Sequence, residues 1–420
     1  MSLEIRTLEA SEGADAAAWM RALNVGFHRS PPVPDEELAM RLPRLHPDRT
    51  QGAYDLGRCV ATFRSMPRQV TVPGGAVLPA SAITNVSVTA THRRRGLASR
   101  MMGADLAAAK ERGEPLAILI AAEYPIYGRF GFGPAAWVSV WEIDIPRAAL
   151  DGRYAGPADG GRVDLATIAE VREHGPGLYE RVRTGIAGAI DREQVWWDRA
   201  VGEVRYPTDD PWEEPFFAFY RDAAGRIEGL ASWRVKDHPW PNKLPKEDAN
   251  VLQLIGATPA AEAALWRFLL SLDWVTRLNS SYRAPDDVLP LLLGDPRAAR
   301  LESYADFMWL RLLDTPAALS ARTYGGGPAA LVLDVRDPAG LAGGRFLLET
   351  DASGAAVCTP TGADADLSLS VADLAWLYLG DESPERLAAL GRLTEHRPGA
   401  ARTATALFRT ARRPWCPDVF

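Results

Sequence analysis

The stretch from residue 83 to residue 122 constrains the fold more than any other part of this chain. Residues 83–89 read as a strand. Residues 96–112 place Leu97, Met101, Ala104 and Ala108 on one helical face, and Gly113 is a suitable C-cap. Residues 116–122 form a continuous apolar run, the pattern of a strand buried on both sides. A strand, a helix and a buried strand in succession predict an α/β layer arrangement. Arg93-Arg94-Arg95-Gly96 occupies the joint between the first strand and the helix.

The flanking sequence extends the same pattern. Residues 3–8 read as a strand and 14–27 as an amphipathic helix, closed by the Pro-rich segment 31–34. Strands are predicted over 54–64, 68–72 and 137–145, with Pro73-Gly74-Gly75 as a turn and a helical turn over 124–130. The Gly-, Asp- and Pro-rich segment 151–161 reads as a linker. The middle region repeats the order, with strands at 162–167, 216–222, 227–235 and 250–256 and helices near 169–184, 192–201 and 259–272. Its strand–link–helix unit parallels the first as a weak internal repeat. Gly325-Gly326-Gly327-Pro328 precedes a last region, with strands at 330–335, 345–350 and 366–371 and helices at 371–379 and 384–393. The fold class expected is α/β (α+β mixed), in three domains: 1–150, 151–300 and 301–420.

Glycine lets the backbone come close to a ligand, and the first N–H groups of a helix form an anion site that the helix dipole reinforces. Three arginines add charge-assisted hydrogen bonds to phosphate oxygens. The joint therefore suits a pyrophosphate-bearing ligand, although a solvated basic turn is the plainer reading of the four residues alone. No Gly-Lys-Ser/Thr and no GxGxxG is present, which removes the usual support for ATP and NAD. Downstream stands Ile126-Tyr127-Gly128-Arg129-Phe130-Gly131-Phe132. A tyrosine held beside a leaving thiolate can give it a proton. Phe130 and Phe132 read as core aromatics around a tight turn.

The strand, R-x-x-G-x-A, helix, buried strand and Y-x-R-F-G-F resemble the GNAT acetyltransferase superfamily. Over the whole chain the sequence resembles its Eis (enhanced intracellular survival) branch. The resemblance implies tandem GNAT domains, the second degenerate, followed by a sterol-carrier-like C-terminal domain. It implies acetyl-CoA as co-substrate and a homo-oligomer, a hexamer. Carried to this chain, it places the pantetheine arm along the backbone of Val86, Ser87 and Val88. Arg94, Arg95, Gly96, Leu97, Ala98 and Ser99 would wrap the pyrophosphate, and Ala122 and Glu123 would flank the thioester. Tyr127 would be the general acid, and the carboxylate of Phe420 the general base. Ala122 departs from the family, whose better-known members carry serine there. So does the tail, with Val419 beside the last residue and Asp418 before it.

The remaining features bound the function. The 420 residues are 47% apolar and 24% charged, as in a globular protein, and thirteen tryptophans call for substantial cores. A net charge of −7 disfavours nucleic acid and would attract cationic amines. Cys59, Cys358 and Cys416 have no CxxC spacing, which disfavours a disulfide framework and fits a reducing cytoplasm. No signal peptide or membrane span is read, and the six histidines lack metal-ligand spacing. Asp35, Glu36 and Glu37 either line an amine pocket or begin a helix. The middle repeat has Ala257, Thr258 and Pro259 where the first has arginines and glycine, so one CoA site per chain is expected. The function expected is acetyl transfer to primary amines of aminoglycosides, polyamines or lysine-type groups. The competing expectation is a CoA- or lipid-binding protein with vestigial catalysis.

Overall fold

The computed structural model describes residues 3–9, 13–154, 160–236 and 238–420. Five residues of the expected linker, 155–159, lie outside these. The first region contributes β1 (Glu4–Thr7), β2 (Thr50–Asp55), β3 (Arg58–Thr71), β4 (Val77–Val88), β5 (Leu116–Ile120) and β6 (Gly133–Asp144). After it come β7 (Arg162–Ala166), β8 (Phe216–Arg221), β9 (Ile227–Lys236), β10 (Glu247–Gly256), β11 (Val275–Asn279) and β12 (Ala299–Leu312). All twelve form one sheet in the order β1-β2-β3-β4-β5-β12-β6-β11-β10-β9-β8-β7.

The two α/β units are thus joined edge to edge. β6 pairs with β11 through Glu142–Asp144, and β12 is inserted between β5 and β6. The boundary expected at 300/301 falls inside β12, a strand the sequence pattern did not reveal. Its first half is largely exposed and its second half, from Phe307, is buried. That profile reads neither as an alternating strand nor as a short apolar run. β3 is likewise one strand, not two, and runs through Pro67.

Helices cover both faces of the first unit. α1 (Gly13–Gly26) and α2 (Asp35–Arg41) lie on one side, and α3 (Leu97–Glu111) on the other. Ser65 of β3 and Ser81 of β4 donate to buried Asp105 of α3 at 2.6 and 3.3 Å. On the opposite face Thr62 and Ser87 share a hydrogen bond of 2.8 Å, and Gly26 of α1 lies so close to Ser87 that a Cβ there would collide with it. A second sheet holds β13 (Ala329–Arg336), β14 (Gly344–Thr350), β15 (Ala356–Pro360), β16 (Leu367–Ser370) and β17 (Leu393–Glu395), in the order β15-β14-β13-β16-β17.

This C-terminal layer is fused to the first unit by packing. The helix Val371–Tyr378 backs onto β6, where a Cβ at Gly133 would strike the carbonyl of Ala372. Arg311 of β12 and Asp337 form a fully buried ion pair at 2.8 Å, and Asp337 also accepts from the N–H groups of Ala339, Leu341 and Ala342. Burial tends to raise the Asp337 carboxyl, but these donors and Arg311 hold it below its ordinary value. One apolar core runs from Val70, Ala82 and Ile118 of the first unit to Leu333, Leu348 and Leu374 of the last.

Candidate active site

β4 and β5 run parallel and pair only from Ala80–Leu116 to Ile83–Leu119. Beyond that point they part. β4 stays paired to β3, but with a bulge: Phe63 alone faces Asn85 and Val86. Asn85 takes φ +55°, and its carbonyl accepts from the Thr62 hydroxyl at 2.8 Å. A bulge turns a strand and re-aims its edge, and here it opens a gap between β4 and β5. Thr89 donates its N–H to Val60 of β3. Alternation along the strand therefore points the N–H and C=O of Val88 into the gap, with those of Ser87 toward β3. The Ser87 side chain is held by Thr62. Of the three residues named for the pantetheine arm, the backbone of Val88 is presented most directly and that of Ser87 is not.

The arginine–glycine joint lies at the open end of this gap. Arg94 and Gly96 have φ +63° and +73°, and α3 begins at Leu97 with no side-chain cap and no acidic residue in its first turn. Arg100 donates to the carbonyl of Gly96 at 3.0 Å, so the N–H groups of Leu97, Ala98 and Ser99 precede the helical ladder. Arg93, Arg94 and Arg95 are exposed. Arg93 and Arg95 touch only the carbonyls of Val88 and Thr91, at 3.5 and 3.4 Å. Uncapped N–H groups, left-handed turns and three guanidiniums without an ion pair among the described residues fit a pyrophosphate. The loop is braced by buried His92, bonded to Asp55 at 3.0 Å and to Thr91 at 2.8 Å. That brace was invisible in the sequence, since nothing local links Asp55 to His92.

Tyr127 ends a short helix, Tyr124–Tyr127, that follows β5. It is 9% exposed and packs in one cluster with Ile83, Leu97, Leu119 and Trp309, and with the partly buried Val86 and Val88. Phe132 and Trp309 meet its ring edge-on at 6.4 and 6.5 Å. Its hydroxyl forms no hydrogen bond among the described residues. Burial, with a smaller push from Glu123, raises its pKa, so it keeps its proton at neutral pH. Ala122 and Glu123 are exposed on the turn between β5 and this helix. Gly131 must be glycine: its φ is +84°, and a Cβ would collide with the Arg311 guanidinium.

The tail is anchored from several sides. Trp415 donates its N–H to Ala187 at 2.8 Å, and Cys416 is fully buried. Asp418 accepts from Tyr179 at 2.7 Å and pairs with Arg192 at 2.9 Å, both partners of that pair being buried. Asp418 is thus committed to structure. Phe420 packs, partly buried, against the core that includes Met66 and Val70 of β3. Phe420 and Tyr127 belong to different apolar clusters. Asp35, Glu36 and Glu37 form the first turn of α2, as the helix-start reading expected; Glu37 is buried, paired with Arg41 at 2.7 Å and bonded to Thr208 at 2.6 Å, and it also lines a large cleft on the α1 face. Cys59, Cys358 and Cys416 are buried free thiols. Among the described residues no group of three or more His, Cys, Asp or Glu could hold a metal ion, and no helix is long and apolar enough to cross a membrane.

Comparison with known proteins matches the fold and its division into three regions. Sequence models of acetyltransferase (GNAT) domains match residues 4–135 and 188–312, and a sterol carrier protein domain matches residues 315–417. A Streptomyces avermitilis protein named "uncharacterized N-acetyltransferase" is 55% identical over 418 residues, covering 100% of this chain and 99% of the relative. The N-acetyltransferase Eis of Mycobacterium tuberculosis is 38% identical over 332 residues, covering 78% and 77% of the two chains. The crystal structure of Eis1 from Mycobacterium abscessus superposes with a TM-score of 0.83 at 30% identity, covering 99% of this chain and all of that one. With two GNAT units, a sterol-carrier-like third layer and relatives of this closeness along its length, the chain belongs to the Eis-type family of GNAT N-acetyltransferases.

Proposed function

We propose that the protein transfers the acetyl group of acetyl-CoA directly to a primary amine, with Tyr127 as general acid and the carboxylate of Phe420 as general base. The observation that carries this reading is the coincidence of three features at one end of β4 and β5. They are the gap opened at Asn85, the uncapped first turn of α3, and a buried tyrosine whose hydroxyl has no hydrogen-bond partner among the described residues. When bound, acetyl-CoA supplies an activated acyl group. The chain's own residues would do the rest. Leu97, Ala98 and Ser99 with Arg94 and Arg95 hold the phosphates. Val88 offers its N–H and C=O to the pantetheine arm, and its N–H can polarise the acetyl carbonyl. Tyr127 retains the proton that the leaving thiolate needs.

The attacking amine must be neutral, while a free alkylamine titrates near 10. A base is therefore required. The anchored tail supports its being the carboxylate of Phe420, because Asp418, Trp415 and Cys416 fix the last residues against the molecule. The lipid-carrier reading gains no support, since the apolar side chains of β13, β14 and β16 are buried in the shared core.

The test is release of free thiol from acetyl-CoA with aminoglycosides, polyamines, lysine-containing peptides and amino acids as acceptors. The same assay is run on a variant with a Gly-Ser extension after Phe420. The wild type should turn over, and the extended protein should bind acetyl-CoA yet lose most turnover. Undiminished kcat in the extended protein would remove Phe420 from the mechanism and make Glu123 the base to test.

A further inference from the structure

The cleft on the α1 face, about 760 Å³ in volume, reaches the bulge of β4 at Asn85. It therefore adjoins the gap in which the acetyl group would lie. The chain as a whole is acidic, but this cleft is not. Its carboxylates are nearly all matched within the protein. Glu37 pairs with Arg41 at 2.7 Å, Glu193 pairs with Arg68, and Asp209 pairs with Arg199 at 3.2 Å. Among the described residues Asp210 is the one lining carboxylate without an ion pair.

Three lining arginines make no ion pair among the described residues, although Glu193 lies near Arg64. Arg29 only stacks on Phe27, 5.6 Å from the ring centroid. Arg44 donates to the carbonyl of Met40 at 2.6 Å, and Arg64 to the carbonyl of Arg44 at 2.7 Å. The Arg64 Nε is buried with no partner at all. Arg64 stands opposite Thr84, beside the bulge, and lines the cleft together with Met66. Neighbouring groups respond to the positive field. Burial and then Arg64 make His46 harder to protonate, and burial and then Arg68 do the same to Arg64 itself.

A buried guanidinium without an anion is costly, and its planar fork fits carboxylate and phosphate. A polyamine in this cleft would face like charges. We propose that the acceptor is an amine that also bears an anionic group, a carboxylate or a phosphate, and that Arg64, with Arg44, receives that group while the amine points to the β4 gap. This specificity rests on the acetyl-transfer reading given above.

The experiment uses the full chain with acetyl-CoA and two matched acceptor pairs. Lysine differs from cadaverine by one carboxylate, and phosphoethanolamine differs from ethanolamine by one phosphate. The anionic member of at least one pair should show the higher kcat/KM, by about tenfold to a hundredfold, the usual worth of a hydrogen-bonded charge. Which pair responds tells carboxylate from phosphate. Arg64→Gln should shrink that ratio mainly through the acceptor KM, leaving the acetyl-CoA KM unchanged. Arg44→Gln is the second variant should Arg64→Gln fold poorly. Cadaverine and ethanolamine turning over as well as their anionic partners would overturn the proposal, as would a ratio untouched by either substitution. Absence of thiol release with all four acceptors and with aminoglycosides would overturn the acetyl-transfer reading, and this one with it.

Discussion

The molecule contains the same strand–helix–strand unit twice, and the helix of one copy starts without a side-chain cap while that of the other is capped. β4 and β5 pair in parallel over a short stretch and then part; β10 and β11 do the same, pairing from Glu247–Val275 to Asn250–Asn279. In each case the first strand is also paired antiparallel on its other side, with β3 or β9. Each helix buries a carboxylate, Asp105 or Glu262, and burial raises both. The difference lies in the first helical turn. α3 begins uncapped after Gly96. The helix Pro259–Leu270 is closed by Thr258, whose hydroxyl accepts from Ala261 at 3.1 Å, and Pro259 brings no N–H. Segment 409–413 and Trp415 also line the cavity at that helix's start. Topology is thus kept by packing, while anion chemistry depends on a few residues at one helix end and can be lost without loss of fold.

The largest effect that would test this contrast is chemical. Tyr127→Phe should fold and bind acetyl-CoA normally but lose roughly 10²–10⁴-fold in kcat. Near-full activity would make Tyr127 a packing residue only, and the first unit no more catalytic than the second. Next, replacing Arg94 and Arg95 together with alanine should raise the acetyl-CoA KM by about tenfold or more, with a smaller change in kcat. Phosphate contacts bind ground and transition states alike; a collapse of kcat at constant KM would show that the phosphates lie elsewhere. Third, calorimetric titration with CoA should give one equivalent per chain, and two would show that the Thr258 cap does not exclude the ligand.

A fourth change touches only the second unit. Thr258→Ala removes the cap and should cost about 1 kcal/mol of stability, read as a lower melting temperature, without altering the acetyl-CoA KM. The smallest effect is a slope. Because the buried Asp105 carboxyl sits above its ordinary value, the native state holds that proton more tightly than the unfolded chain does. Stability due to this group therefore falls as pH rises from the ordinary carboxylate range towards the raised value. Asp105→Asn keeps a hydrogen-bonding partner for Ser65 and Ser81 and should flatten that slope; an unchanged pH profile of denaturant unfolding would assign it to other groups.

Local signals made much of this visible in the sequence. The periodicity of 96–112, the apolar run after it, and Arg93 to Gly96 are all local, and so were the first unit and the uncapped helix start proposed as its anion site. The glycine of Phe130-Gly131-Phe132 marked a tight turn, although its cause, the approach of Arg311, comes from far along the chain. Non-local features were hidden. Asn85 looks like any strand residue, because a left-handed asparagine has no composition of its own. The His92–Asp55 brace and the Arg192–Asp418 pair require spatial neighbours that spacing does not name. Net charge was misleading about the cleft, since it averages over ion pairs that cancel and arginines that do not.

β12 carries a consequence for how the molecule comes into being. Trp309, on that strand, lies edge-on against both Tyr124 and Tyr127, and the strand fills the place between β5 and β6. During synthesis the first unit therefore leaves the ribosome as two sheet edges with a vacancy between them. It must wait for more than half of the remaining chain before its tyrosine has a wall. Until residue 312 has emerged, the nascent chain holds the Arg93–Gly96 loop but not the strand that completes the sheet beside it, and its exposed edges are open to mispairing. Activity in this architecture is a late event of translation, and an early stop in the message would yield an aggregation-prone fragment, not a smaller enzyme.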